Sequence, residues 1–449
     1  MTTTGWVLAS DVARDDDLPR AAARIRAATA RVLIAVVPLA AVIWVPVATM
    51  PGLGNVTALD VILLSLWPLA LLGLRAWRGS AEASSRALRI ALLALLPGLF
   101  AGLGVLTFSG LGSAYVPDAS TNAVGEVLLN VKRFGAAAIL PLAMLVYGSP
   151  RLRRACVASL LLASVAMTLF ALHPALRAAL PVQAVVAEGF GAGNRQSGLV
   201  ANPNDYAYIS ILALAMLAAL AAGRDVRRPI RYALGLAGAV GTCGALALSG
   251  SRSGLVGLLA AVAYLLVRGR LSVPRKGLVA LAVVVLLVAG LGGSAVFRER
   301  LARLYDQGTA EPSLAGRLAD QQVLLTVWLD NPLGVGYQNF VPVSRRFSGA
   351  QPFVDVEGAD SIYVDTLAAS GPLGLLALLA LLWSGWRYLG RWRGGRPLQT
   401  DLLRAGWLAM VVIGLSTIAP LSVFIAPYFF LLIGCATLVA PAATEGSGR

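Results

Sequence analysis

The chain has 449 residues, of which 58% are hydrophobic and 13% are charged, and its formal net charge is +15. Soluble domains are about 45–50% apolar and about 25% charged, so this composition excludes an ordinary soluble protein and indicates one surrounded by lipid. The excess of arginine is typical of loops that face an anionic membrane surface, and we expect no nucleic-acid partner.

Apolar runs long enough to cross a bilayer recur along the chain, since a spanning helix needs about 20 such residues. Residues 1–30 are polar and of mixed charge, and we expect a cytoplasmic tail there, with no cleaved signal peptide. The pattern predicts an all-α, polytopic membrane protein with about twelve transmembrane helices. The expected spans are 31–50, 57–76, 87–108, 130–148, 155–174, 205–222, 231–249, 253–267, 277–297, 361–386, 402–419 and 421–440.

The arginines alternate with these spans and thereby orient them. Arginine clusters follow the second, fourth, sixth, eighth and tenth spans, whereas the segment from Gly110 to Gly125 contains none. Because cytoplasmic loops have an excess of Lys and Arg, both termini are predicted to lie in the cytoplasm, with the chain in a bacterial inner membrane. Spans one to nine then fall within 31–297, spans ten to twelve within 361–440, and a C-terminal tail at 441–449.

One loop on the far side is long, because residues 298–360 separate the ninth and tenth spans. Within it, Arg298–Tyr305 and Leu314–Leu329 have the apolar spacing of helices. We expect both helices to lie along the outer surface and to cap a cavity.

Cysteine and histidine are sparse. Cys156, Cys243 and Cys435 each lie inside an apolar run, no CxxC motif occurs, and His173 is the only histidine. The sequence therefore predicts neither a disulfide framework nor a zinc site, and we expect no metal and no other cofactor.

Four polar segments interrupt the apolar pattern, and the predicted topology places all of them on the outer face. They are residues 195–205 (RQSGLVANPND), residues 248–254 (LSGSRSG), Gly316-Arg317 with residues 328–336 (WLDNPLGVG), and residues 360–363 (DSIY) with residues 371–374 (GPLG). Each alone is typical of a turn or a helix cap. However, Arg195, Arg252 and Arg317 together suit bidentate binding of phosphate oxygens. They predict a site for an anionic lipid head group such as a diphosphate.

The order and spacing of these segments resemble the O-antigen ligase and polymerase superfamily of bacterial membrane glycosyltransferases. The resemblance covers roughly residues 190–390. It rests on an Arg-x-x-Gly…Asn-Pro-Asn element at 195–204, a Ser-Arg-Ser turn at 251–253, a Gly-Arg…Trp…Asn-Pro-Leu-Gly-Val-Gly element at 316–336, and a Tyr…Gly-x-x-Gly element at 363–374.

The resemblance implies a donor glycan on undecaprenyl diphosphate, whose anomeric carbon is attacked by a hydroxyl of a glycan or lipid-glycan acceptor. It implies a metal-independent transferase in which Arg252 and Arg317 act in catalysis by stabilising charge on the departing diphosphate. The membrane, the lipid-linked donor and the acceptor are then the partners. The residues that bind the diphosphate or the glycan by this resemblance are Arg195, Asn202, Asn204, Ser251 and Tyr363.

The sequence departs from the family at Asp360, where the ligases have histidine. Aspartate also serves as a general base, and polymerase-like members often have aspartate there. Asp360 is therefore predicted to be catalytic, and a polymerase is favoured over a ligase. A helix N-cap is an alternative role for Asp360. Asp365 is a further candidate, because acids inside spans are functional by default.

A transporter is the main alternative from another class, since many carriers also have twelve helices with cytoplasmic ends. Against it, the sequence has no internal repeat between its halves, and its polar segments lie at one face instead of the midplane. A non-catalytic assembly protein is a third alternative, but it does not explain the outer arginines.

Overall fold

The computed structural model of the protein describes residues 17–43, 45–50, 54–77, 79–111, 120–173, 176, 199–200, 202–222, 226–274, 276–277, 288, 294–307, 312–347, 358, 360–391, 397–417 and 422–439. The α-helices in these ranges are α1 (Asp17–Val42), α2 (Ala58–Ala76), α3 (Ala81–Leu111), α4 (Ala123–Arg133), α5 (Leu140–Tyr147), α6 (Pro150–Leu172), α7 (Pro203–Ala221), α8 (Arg228–Ser249), α9 (Arg252–Val267), α10 (Ala295–Gln307), α11 (Pro312–Asp330), α12 (Phe340–Phe347), α13 (Ile362–Gly390), α14 (Pro397–Ile413) and α15 (Ala426–Val439). Short 3-10 helices occupy Gly135–Ile139 and Tyr337–Asn339. The prediction of an all-α protein is confirmed, with one antiparallel hairpin, β1 (Pro46–Met50) and β2 (Gly54–Thr57), added to the helices.

The protein is a multi-pass membrane protein. Among the described helices, seven are long and apolar enough to cross a membrane, and the bent pair Ala123–Arg133 and Gly135–Tyr147 makes an eighth if it is one span. The helices α9 and α15 are apolar but shorter. Most of the predicted ninth span at 277–297 lies outside the described residues, as does the tail at 441–449, so the count of twelve stays a prediction.

The first and fourth predicted spans follow a different course in the structure, and the eleventh and twelfth are shorter, since α14 ends at Ile413 and α15 begins at Ala426. The first, expected at 31–50, is helical only to Val42 and is continuous with a helix that begins at Asp17; residues 46–50 form β1, which pairs with β2 from Pro46↔Thr57 to Met50↔Gly54. Pro46 lacks the N–H that a helix would need, so it favours the strand.

The fourth predicted span, 130–148, is not one straight helix, because α4 and α5 meet at a bend of 51°. The 3-10 helix Gly135–Ile139 separates them. Pro141 is the second residue of α5, and a proline there cannot continue the hydrogen-bond ladder of the preceding turn.

The centre of the bundle is formed by α7 and α15, whose residues are buried on almost every side. A helix that is apolar all round must be enclosed by others. Trp407 of α14 stacks on Phe429 of α15 with ring centroids 4.2 Å apart. This core fixes the positions of α7 and α14, whose ends reach the polar segments.

One end of the bundle, called here the motif end, holds the first residues of α7, α9 and α13 and the last residues of α14. Three hydrogen bonds hold these ends together: Tyr208 with Ser253, and the Ile362 N–H with the carbonyls of Gly414 at 3.0 Å and Thr417 at 3.2 Å. The other end, called the arginine end, is closed by contacts such as the Arg270 N–H on the Asp401 carboxylate at 2.9 Å.

The long outer segment predicted at 298–360 does not lie entirely on the surface of the bundle. Leu324 and Val327 of α11 are fully buried, and with Phe340, Ala368 and Ala369 they belong to a second hydrophobic core between the loop, α3 and α13. The expectation that the outer helices lie along the surface is therefore wrong for α11, because its apolar face packs into the bundle.

The segment 331–339, called here the re-entrant segment, pairs with a break in α13. Gly371 is non-helical (φ 64°, ψ −170°) and Pro372 has no N–H, so the carbonyl of Ala368 lacks its helical donor. The N–H groups of Val335 and Gly336 bond the carbonyls of Ala368 and Ala369 instead, at 3.0 and 2.9 Å. The two glycine-rich motifs of the sequence therefore complete each other.

Close approach explains why this pairing needs glycine. Gly334 has φ +88°, and a Cβ there would collide with the carbonyl of Ala369. A Cβ on Gly104 of α3 would lie 2.9 Å from the same carbonyl. Three backbones meet at this point, which only residues without a side chain permit.

Glu126 of α4 anchors the re-entrant segment from the other side. Its side chain is fully buried and accepts hydrogen bonds from the backbone N–H groups of Tyr337 at 2.9 Å and Gln338 at 3.2 Å. Asn339 adds bonds to Ser120 and to the Val335 carbonyl. Protein groups thus satisfy the polar atoms of this irregular backbone, as a buried segment requires.

Candidate active site at the motif end

The candidate site is built around an ion pair between two elements that are distant in sequence. The Arg317 Nε of α11 lies 2.9 Å from the Asp360 Oδ2, just before α13. The side chains are 24% and 46% exposed, so the pair is held by the fold and still open to a ligand. The structure thus brings together two of the three residues that were predicted to be catalytic.

Asp360 has an unusual backbone. Its φ is +50°, and it is the one non-glycine residue with positive φ in the described part of the chain. Aspartate tolerates this left-handed conformation better than most residues. The alternative role of Asp360 as the helix N-cap is excluded, because the N-cap of α13 is Ser361. Asp360 lies one residue earlier, where its side chain is turned to Arg317.

A second carboxylate belongs to this cluster. Asp320 follows Arg317 by about one turn of α11. Burial, and then the negative charge of Asp360, raise the pKa of the Asp320 carboxyl. The Arg317 cluster therefore consists of one guanidinium and the two carboxylates of Asp320 and Asp360.

The Ser-Arg-Ser turn lies at the motif end, where it joins α8 to α9. Gly250 ends α8 in the left-handed conformation at φ 60°, and Ser251 is the N-cap of α9, with its Oγ accepting the Gly254 N–H at 3.2 Å. The turn and cap interpretation of this motif is confirmed. Arg252 follows as the first residue of α9 and is half-buried.

Tyr208 of α7 binds this turn from a neighbouring helix. Its side chain is fully buried, and its hydroxyl forms a hydrogen bond with the Oγ of Ser253. Sequence reasoning missed Tyr208 because it lies inside an apolar run; the signal was a polar tip two residues after Tyr206, one turn into the span.

The remaining predicted site residues have structural contacts. Asn202 is the N-cap of α7, with its side-chain oxygen accepting the Asn204 N–H at 2.8 Å. The Tyr363 hydroxyl donates to the Val411 carbonyl at 2.9 Å, near the end of α14. Arg195 lies outside the described residues. Substrate binding stays a prediction for all five of these residues: Asn202, Asn204, Ser251, Tyr363 and Arg195.

Asp365 lies one turn into α13 and is buried, and Gly358 packs close to its carboxylate. Within the described ranges, no group of three or more His, Cys, Asp or Glu side chains is placed to hold a metal ion. The polar chemistry of the motif end is therefore that of arginines, carboxylates and hydroxyls.

Fold and site together define a multi-pass helical membrane protein with an arginine–carboxylate site at one end of its bundle. Residues 237–379 match the family model described as O-antigen ligase. This part of the chain, about a third of its length, is a domain of the O-antigen ligase and polymerase superfamily. It includes Arg252, Arg317 and Asp360, as well as the re-entrant segment and the break in α13. No curated protein matches the chain.

Proposed function

We propose that the protein transfers or polymerises an undecaprenyl-diphosphate-linked glycan in surface polysaccharide biosynthesis. The observation that supports this most directly is the Arg317–Asp360 ion pair, both residues of which lie inside the region that matches the O-antigen ligase family. An accessible arginine next to an accessible carboxylate supplies both an anion-binding group and a base.

In this proposal, Arg317 and Arg252 bind the diphosphate of the donor, with Arg195 as a third contact. A guanidinium offers two parallel N–H donors to phosphate oxygens and does not lose its charge. The charge that develops on the leaving diphosphate is stabilised where these groups are already in place. No metal is needed for this stabilisation.

Asp360 acts as the general base. The oxygen of an acceptor hydroxyl attacks the anomeric carbon, its proton passes to the Asp360 carboxylate, and the bond from the anomeric carbon to the diphosphate breaks. Undecaprenyl diphosphate leaves with the bonding electrons. General-base catalysis of this kind contributes about 10²–10⁴-fold to the rate.

The ion pair gives this base a control. The Arg317 Nε is paired with the Asp360 Oδ2 at 2.9 Å. A bound diphosphate, with its greater negative charge, competes for the guanidinium and releases the carboxylate. The Asp360 carboxylate is thus free to accept a proton from an acceptor hydroxyl only after the donor has bound. Donor binding therefore precedes deprotonation of the acceptor.

The reaction takes place at the outer face of the cytoplasmic membrane, with both termini inside. The arginine clusters at the arginine end of the bundle support this orientation through the positive-inside rule. The aspartate at position 360, in place of the histidine of ligases, favours polymerisation over transfer to a lipid-glycan acceptor.

An assay with purified protein and lipid-linked repeat units tests whether the protein transfers glycan and whether it is a polymerase or a ligase. A polymerase produces a ladder of longer glycans without another acceptor, whereas a ligase leaves the donor unchanged until an acceptor is added. Arg252→Gln, Arg317→Gln and Asp360→Asn should each abolish or strongly reduce the product. Arg303→Gln is the matched control, because Arg303 is exposed and pairs with Glu299 one turn away on α10. Normal product from all three site variants would refute the proposed function.

A further inference from the structure

A cavity lies at the arginine end, far from the candidate active site. It has a volume of about 300 Å³, is open on one side, and is formed by α1 and by the last turns of α2 and α5. Small residues leave the space, since Ala23 and Ala27 of α1 face Gly73 and Ala76 of α2 across it. We call it the basic cavity, because Arg26 and Arg31 line it.

Both arginines are half-buried, and one is fixed by the bundle. The Arg31 Nε donates to the Tyr147 carbonyl at 3.2 Å, at the end of α5. A guanidinium has five N–H donors, so this bond orients Arg31 without using the terminal fork that binds phosphate. Arg26 lies five residues earlier on α1 and lines the same cavity.

The charges in the cavity are unbalanced. Among the described residues that line it there is no aspartate and no glutamate. Two like charges that share a partly buried space repel each other, and an anion between them relieves that repulsion. The cavity volume is at the lower limit of the range of about 300–1,000 Å³ typical of ligand sites.

The surroundings match a membrane lipid. Trp77 and Tyr147 line the cavity, and these two residue types are enriched where the membrane meets water. Ala23 and Ala76 at its edge are exposed, and Leu72 just below is 41% exposed, so the cavity opens onto the apolar outer surface of α2.

We propose that the basic cavity binds the phosphate group of an anionic phospholipid. The phosphate lies between Arg26 and Arg31, and the acyl chains leave past Ala23 and Ala76 along the exposed surface of α2. The lipid thereby joins α1 to the ends of α2 and α5. This site is separate from the proposed glycan transfer and does not depend on it.

Thermal unfolding of the detergent-purified full chain tests the site. We expect phosphatidylglycerol at saturating concentration to raise Tm by about 2 °C or more. Phosphatidylcholine with the same acyl chains should give no rise, since its head group is zwitterionic. Glycerol 3-phosphate, which has the phosphate without the chains, should also give none. An equal rise with glycerol 3-phosphate would overturn the lipid as the source of the phosphate.

Variants locate the effect. Arg26→Gln/Arg31→Gln should remove the rise, whereas Arg151→Gln/Arg154→Gln should keep it, because those arginines are exposed on α6 at the same end of the bundle. Ala23→Trp provides a second variant that keeps both charges: it fills the mouth of the cavity from an exposed position and should also remove the rise. An equal loss in both arginine pairs, or no effect of Ala23→Trp, would overturn the proposal in favour of general charge attraction.

Discussion

Replacing Asp360 with asparagine separates a catalytic role for this residue from a structural one. Asparagine has the same shape, and it tolerates the left-handed backbone that Asp360 adopts at φ +50°. What changes is the charge, and with it the ion pair to Arg317. The side chains of this pair are 24% and 46% exposed, so we expect its loss to cost at most about 1 kcal/mol of stability.

The expected effect on the rate is much larger. Removing a general base lowers the turnover of glycan transfer by about 10²–10⁴-fold. Turnover is measured from the ladder formed on lipid-linked repeats, and stability from Tm on the same preparation. Asp360→Gly is a useful companion, because glycine adopts positive φ freely and lacks the carboxylate; it should be as inactive as the asparagine variant and no less stable.

A double variant extends the test. If Arg317 and Asp360 act in the same step, the combined loss of Arg317→Gln and Asp360→Asn is smaller than the product of the two single losses. The reasoning would be refuted by Asp360→Asn protein that has normal turnover, or by a loss of turnover that follows a matching loss of folded protein.

Further predictions concern the elements that support this site. Tyr208→Phe removes the hydroxyl that bonds Ser253 and should lower turnover by about tenfold, the equivalent of about 1.4 kcal/mol; Tyr206→Phe, which removes a hydroxyl bonded to Thr168 instead, should not. Gly334→Ala places a Cβ against the Ala369 carbonyl at φ +88° and should lower Tm by several degrees, whereas Gly316→Ala, with nothing within 4 Å, should not lower it. Glu126→Ala leaves two N–H groups of the re-entrant segment without their acceptor, at about 1–3 kcal/mol each; its Tm should fall well below that of Glu299→Ala, which loses only an exposed pair. Asp320→Asn should raise Tm at pH 7, because burial raises the pKa of that carboxyl and its charged form therefore destabilises the fold. The gain should shrink as the pH falls towards 3.8, the ordinary value, where the native carboxyl is protonated; a gain that does not depend on pH would contradict this reasoning.

Hydropathy predicted most of the described helices because the lipid requirement acts on each segment by itself. The third predicted span at 87–108 lies within α3, and the tenth at 361–386 coincides with most of α13. Where the first and fourth spans differ from the hydropathy prediction, the cause is the backbone chemistry of single residues. A strand after Pro46 and a bend before Pro141 are invisible to an average over 20 residues, although the prolines that cause them are plain in the sequence.

The candidate site was predictable in its residue types but only partly in its contacts. Arginines beside glycine and serine indicated an anion site, and the structure brings Arg317 to Asp360. The partners of the re-entrant segment were not predictable, because Glu126 lies 211 residues from Tyr337 in the chain. Such a contact depends on the packing of α3, α4 and α13, and no local pattern encodes it.

The exchange of hydrogen bonds between the re-entrant segment and α13 has a consequence for biogenesis. The ribosome makes Val335 and Gly336 before α13. We therefore expect their N–H groups to be hydrogen-bonded to water until α13 has entered the membrane. Until they dock, the carbonyls of Ala368 and Ala369 face the bilayer without their final donors, which is unfavourable in lipid. We therefore expect α13 to complete its hydrogen bonding only when residues 331–339 dock against it, and a chain that lacks these residues to leave both carbonyls without their donors.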